Sequence, residues 1–329
     1  MNRRRFVAAI GAALAAPLES FAQQPAKIAR IGFLIPAYAS SYASRVEALR
    51  AGLRERGYVE GRDFVIEFRV ADGNYDRLPG LAAELARLKV DVIVTAGTPG
   101  TRAAKQATAA IPIVMAVSGD AVATGLIASL ARPGGNVTGT TYFDPELHAK
   151  RLELLKEAVP RITRVGALIN PDNPQATGTT LQALRRAAES LKVELPLFEA
   201  RRPSEFEGAF SAMAKRPVDA VAIVDDPMFL GNLRSIADIA ANTRLPSTGA
   251  KEFAEAGGLI GYGVDFAGTF RRAAYFVDRI LRGTKPNELP VEQATRFELV
   301  INRKAASALG VAIPQQLLLR ADKVIEREM

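Results

Sequence analysis

Where this chain could do chemistry, it sets short polar side chains immediately after apolar runs. Thr98 follows the run at 92–96, and Asp120 follows 112–117 with Ser118-Gly119 between. Asn173 lies in the loop Asn170-Pro171-Asp172-Asn173-Pro174, and Asp225-Asp226 close the run at 218–224. Helical spacing resumes after each, and the free N–H groups at a helix N-terminus hold an anion such as a carboxylate. Thr98, Asp120, Asn173 and Asp226 also suit plain N-caps, each worth roughly 0.5–2 kcal/mol. Tyr142 stands between two runs, where a ring either stacks on a ligand or packs a hinge. Asp265 stands beside a second such junction. Carboxylates in a cleft can transfer protons, but no partner group completes a catalytic set. The only histidine, His148, falls on a helical stretch beside Lys150 and Arg151 and reads as a solvated side chain. No Gly-x-Ser-x-Gly elbow, phosphate loop or metal-ligand cluster occurs, so the expectation is a protein that is not an enzyme and needs no cofactor or metal.

The elements that must position these residues are written twice. Residues 90–99, VDVIVTAGTP, are echoed by 218–227, VDAVAIVDDP. Likewise 31–36, IGFLIP, resembles 165–170, VGALIN, and Ile111-Pro112 resembles Leu245-Pro246. Continuous β-branched runs bracketed by helices indicate parallel strands buried on both faces. Ligands of open α/β sheets bind beyond the carboxyl ends of the strands. Two such lobes, α/β and doubly wound, would face each other across a cleft with the polar loops as jaws. Further along, the pattern predicts helices over 41–57, 126–131, 145–159 and 267–281, a strand over 193–199, a final strand over 297–301 and a terminal helix over 314–325.

A length of 329 residues suits about two domains. Hydrophobic content of 48% supports packed cores. The formal charge of +8 is spread as pairs such as Arg185-Arg186 on mixed-charge helical stretches. Without a basic stripe interleaved with aromatics, nucleic acid is not an expected partner. Cysteine is absent, which removes disulfides and zinc–thiolate sites. Residues 1–22 carry Arg3-Arg4-Arg5, a dozen apolar residues and Ser20-Phe21-Ala22. That is the pattern of an export signal, Sec or twin-arginine, and implies a periplasmic protein.

Several segments together resemble a known family: Asp76-Arg77-Leu78-Pro79, Gly97-Thr98-Pro99, Ile111-Pro112-Ile113-Val114, LARPGGNVTG at 130–139, Glu252-Phe253 with AGGL at 256–259, and FELVIN at 297–302. The chain is similar to substrate-binding proteins of ABC transporters of the type I periplasmic-binding-protein fold, in a branch linked to amino-acid uptake. The resemblance covers residues 28–327. It implies a first lobe of 28–141 plus 262–287 and a second of 142–261 plus 288–329. Three hinge crossovers fall near Thr141, at 262–265 and at 289–291. It implies a monomer that captures a small polar ligand, an amino acid or related compound, and delivers it to a membrane permease; the alternative is a sensor feeding a membrane receptor or kinase. It assigns the ligand's ammonium to Asp226, with Asp225 as the alternative, and its carboxylate to hydroxyls such as Thr98. Two positions depart from the family pattern: Asp120-Ala121 replaces Asp-Pro, and Thr248-Gly249 stands where an aromatic is frequent.

Overall fold

The runs at 92–96 and 220–223 are the central strands of two separate sheets. A computed structural model describes residues 27–326 except Phe143; the export signal expected over residues 1–22 lies outside the described residues. The chain begins with β1 (Ala29–Ile35), α1 (Ala43–Arg54), β2 (Phe64–Val70), α2 (Leu78–Arg87) and β3 (Val92–Ala96). The first pass ends with α3 (Gly97–Ala107), β4 (Ile113–Ser118) and β5 (Val137–Thr141). The chain then crosses over to α4 (Asp144–Ala158), β6 (Val165–Ile169), α5 (Leu181–Ser190), β7 (Leu197–Glu199), α6 (Phe206–Lys215) and β8 (Ala220–Ile223). The second lobe continues with α7 (Pro227–Leu230), α8 (Leu233–Asn242), β9 (Ser247–Gly249), α9 (Lys251–Glu255) and β10 (Ile260–Gly263). It returns to the first lobe for α10 (Phe266–Leu281) and β11 (Glu292–Gln293). It finishes in the second with β12 (Glu298–Asn302), α11 (Arg303–Leu309), α12 (Gln315–Leu319) and β13 (Lys323–Ile325).

The sheets run β11-β5-β4-β3-β1-β2 and β13-β12-β10-β9-β8-β6-β7. Stripped of their edge strands, both follow one winding order, so β1, β3 and β4 correspond to β6, β8 and β9. In each lobe the order reverses beside the first strand, and the crevice outside the carboxyl ends at that switch point is where such sheets bind ligands. The first sheet is parallel throughout. In the second, β12 runs antiparallel to β10. The reason is topological: β11 ends at the cleft, so the chain enters the second lobe from the cleft side and must run away from it. Gln293 still pairs with Thr141, so that crossing lies at 294–297, a few residues beyond 289–291.

Packing of α10 ties the first lobe together. Phe266, Phe270, Ala273, Ala274 and Val277 recur at helical spacing and are buried. Phe270 stacks on Phe33 of β1 at 6.1 Å and meets Tyr42 edge-on at 5.9 Å. Gly52 lets α1 approach: a Cβ there would lie 2.4 Å from the Arg271 carbonyl oxygen and 2.7 Å from Ala274 Cβ.

Three local expectations need correction. Residues 126–131 form bends and irregular backbone rather than a helix, because Pro133 and Gly134 sit too close behind for a helical turn to be completed. The strand expected over 193–199 is regular, as β7, only from Leu197, preceded by a single parallel bridge from Glu194 to Arg164. The helix expected over 314–325 stops at Leu319; Lys323–Ile325 instead adds a parallel edge to β12, and the Asp322 carboxylate accepts the Leu299 N–H.

Replacing Gly52 by Val should force α1 from α10 against backbone atoms. The expected cost is roughly 1–3 kcal/mol, read as a lower urea midpoint with the denaturant slope unchanged.

Candidate functional site

Loops after β3, β4, β6 and β8 meet between the lobes around a cavity of about 30 Å³. The first lobe contributes Thr98, Ser118 and Arg45; the second contributes Asn173, Gln175 and Asp226. Aromatic rings of Tyr42, Tyr142, Phe266 and Phe270 complete the wall. The lips touch. Gly97 sits at φ +72°, and a Cβ there would lie 2.5 Å from Pro227 of the opposite lobe. Gly119 is pressed in the same way against the Gln175 side chain.

Asp226 is the centre of this seam and is 1% exposed. Its extended backbone makes it the N-cap of α7, accepting from the Met228 N–H at 2.9 Å. Asn170 and Asn173 donate to it from the loop after β6, at 3.3 and 3.0 Å. The fourth donor comes from the other lobe: Tyr75 Oη–H to Oδ1 at 2.8 Å. Oδ1 thus takes three of these bonds, and Oδ2 takes only Asn173. Burial pushes the Asp226 carboxyl above its ordinary value, against the pull of those four donors. Burial, and then the Asp226 charge, push Tyr75 well above its ordinary value, so it remains a donor.

Asp225 does a different job. Asp225 also borders the cavity, but its carboxylate is committed to Arg151 of α4. The pair is bidentate, at 2.6 and 3.0 Å, with both side chains at most 3% exposed. Arg151 Nε also donates to the Tyr262 carbonyl at 2.6 Å. His148 is buried, and its Nε2 accepts the Asp225 N–H at 3.3 Å. The solvated histidine expected from the sequence is therefore corrected: α4 packs this face against the second sheet.

The remaining sequence candidates divide. Thr98 lies within the first turn of α3 rather than capping it, with its hydroxyl 3.4 Å from that of Ser118. Tyr142 lies in the first crossover, edge-on to Phe266 at 6.3 Å and 3.4 Å from Asp225 Oδ2. Asp120 stays outside the cavity, because its Oδ1 accepts the Ala123 N–H in a local turn at 2.9 Å. Asp265 is half-exposed, outside the cavity, and 3.7 Å from Lys251. Thr248 and Gly249 do not line the cavity either, so its aromatic wall does not depend on them.

Tyr75, Arg45 and Arg151 were not picked out by sequence reasoning. For Arg151 a signal exists: Leu147, Arg151, Leu155 and Ala158 recur on one face of α4, and all are buried. For Arg45 the signal is the internal repeat, since the segment after β1 must face the cleft as the loop after β6 does.

Two similar α/β lobes, three strand crossings and polar loops at facing switch points define a type I periplasmic-binding-protein fold. The chain belongs to the ABC transporter substrate binding protein family, which matches residues 31–325, a family of solute-binding proteins rather than enzymes. The tyrosine-binding protein of Clostridioides difficile is 27% identical over 261 residues, 79% of this chain and 74% of that protein. A conserved domain protein from Vibrio cholerae superposes with a TM-score of 0.83 at 28% identity, over 91% of this chain and all of that one. An ABC domain from Streptococcus pneumonia, solved in complex with L-Trp, gives 0.82 at 25% identity, over 91% and 100% of the two chains.

Breaking the buried pair by Arg151→Leu should cost about 3–5 kcal/mol, because the buried Asp225 loses its counter-ion. Combining it with Asp225→Leu should recover a large part of that loss. Urea unfolding of the wild type, the two single variants and the double variant measures the coupling.

Proposed function

We propose that this chain is the exported, periplasmic solute-binding component of an importer. It captures an L-amino acid between its lobes and presents it to a membrane permease. The observation that carries the reading is Asp226: a carboxylate sealed at the seam, capped from both lobes, with one oxygen holding room for a further donor. In this reading the ligand's ammonium binds Oδ2 of Asp226. Its carboxylate lies toward Thr98, Ser118 and the N-terminus of α3, where backbone N–H groups favour an anion. Its side chain packs among Tyr42, Tyr142 and Phe266. The names of the relatives, one binding tyrosine and one solved with L-Trp, support an amino acid as the ligand class.

A 30 Å³ cavity holds a few water-sized groups, so an amino acid enters only when the lobes part. It then closes them because it touches both, binding the closed state better than the open one. Leader-directed export fits a described chain in which no helix is long and apolar enough to cross a membrane.

Calorimetry with L-tyrosine, L-tryptophan and L-leucine tests the reading. Asp226→Ala should weaken binding by about 3–5 kcal/mol, roughly 150- to 4,000-fold. Affinity in Asp226→Ala within threefold of wild type would refute the ammonium assignment.

Acid should separate affinity from stability. Because the folded pKa of Asp226 is raised, its contribution to the stability of the ligand-free protein is fully present below its unfolded pKa and lost as pH rises through its folded pKa. Affinity runs the other way: protonating Asp226 removes the ammonium's partner. Binding should therefore weaken on acidification before the window of an ordinary aspartate is reached, and the effect should vanish in Asp226→Asn. Calorimetric titrations over a pH series check the affinity, and urea unfolding of the ligand-free protein over the same series checks the stability.

A further inference from the structure

The wall of the cavity carries a second buried charge that the protein leaves without a counter-ion. Arg45, near the start of α1, is only 7% exposed. Its guanidinium lies 4.8 Å from the Tyr42 ring centre and 5.5 Å from that of Phe266. Among the described residues no carboxylate oxygen comes within 4.0 Å of it. Ring faces attract a guanidinium but only partly offset the loss of water around a full charge. Arg151, the other buried arginine beside the seam, shows what full compensation looks like: a bidentate carboxylate and a backbone carbonyl. Glu252 of α9 is near enough to feel the Arg45 charge but forms no ion pair with it: none of its oxygens lies within 4.0 Å, and its Oε2 is buried without a hydrogen-bond partner.

Charge accounting around the cavity is then simple. Asp225 is matched by Arg151. Asp226 and Arg45, on opposite lobes, remain as one unmatched negative and one unmatched positive group, both lining the cavity. A ligand that completes both is a zwitterion of zero net charge. We propose that Arg45 is the carboxylate anchor of the ligand site, with the Thr98 and Ser118 hydroxyls as supporting donors, and that this selects amino acids over amines and amides. The inference rests on the amino-acid reading above. A guanidinium forks onto both oxygens of a carboxylate, which an ammonium cannot do.

The test is calorimetry slightly below neutral pH, comparing L-tyrosine, L-tryptophan and L-leucine with their primary amides. Wild type, Arg45→Gln and Arg45→Lys are compared, with circular dichroism and thermal unfolding to show that each is folded. Wild type should prefer an acid over its amide by roughly a hundredfold, and Arg45→Gln should cut that ratio by about tenfold or more. Arg45→Lys should fall between, keeping the charge but losing the fork. If wild type binds the acids and Arg45→Gln keeps the same acid-to-amide ratio, the anchor assignment is wrong while the amino-acid reading stands. If wild type binds none of the acids, both fall together.

Discussion

The structure depends on keeping one carboxylate dry. Asp226 sits between two lobes at 1% exposure, where an unsatisfied charge would be costly. Three of its donors belong to its own lobe and hold it in place whatever the other lobe does. The fourth, the Tyr75 hydroxyl, comes from the first lobe, so the proposed opening of the lobes would withdraw it. Closure therefore exchanges water around Asp226 for a protein donor, a near-balanced exchange worth little on its own. A near-balanced closure is what a ligand can tip, since a ligand shifts an equilibrium only by its differential affinity for the two states.

Beneath that seam lies a fixed platform. Asp225, one residue earlier, is locked to Arg151 and through it to the backbone of Tyr262 at the end of β10. The end of β8, the helix α4 that follows the first crossover and the strand that leads into the second are thus joined at one buried point. Adjacent aspartates divide the work by their partners: Asp225 is matched by a buried guanidinium, whereas Asp226 is held only by neutral donors. On the first lobe the matching support is aromatic, with Phe33, Tyr42 and Phe270 packed under the α1 turn that presents Arg45.

Much of this was legible in the sequence, for physical reasons. Strands buried on both faces leave long apolar runs, so β1, β3, β6 and β8 and their repetition could be read directly, and Asp226 stood out at the end of such a run. Position after a strand does not say where a side chain points. Asp120 and Asp265 satisfied the rule yet turn to a local N–H and to Lys251. Residues that reach the site from helices or from afar left weaker traces. Tyr75 lies 151 positions from Asp226, and Arg45 and Arg151 look like the solvated face of a charged helix until the neighbouring elements cover them. The last edge strand was hidden because a short apolar run beside a helical stretch has no periodicity of its own to show.

A bound ligand should draw the two lobes together across this seam. The absence of cysteine makes it directly measurable: Ala123→Cys on the first lobe and Thr177→Cys on the second are exposed positions near the cleft that accept spin labels. Electron–electron distance measurements should show a broad or longer distribution without ligand. With the tightest-binding amino acid at saturation it should collapse to a single shorter distance. A distribution that is the same with and without bound amino acid would contradict the account.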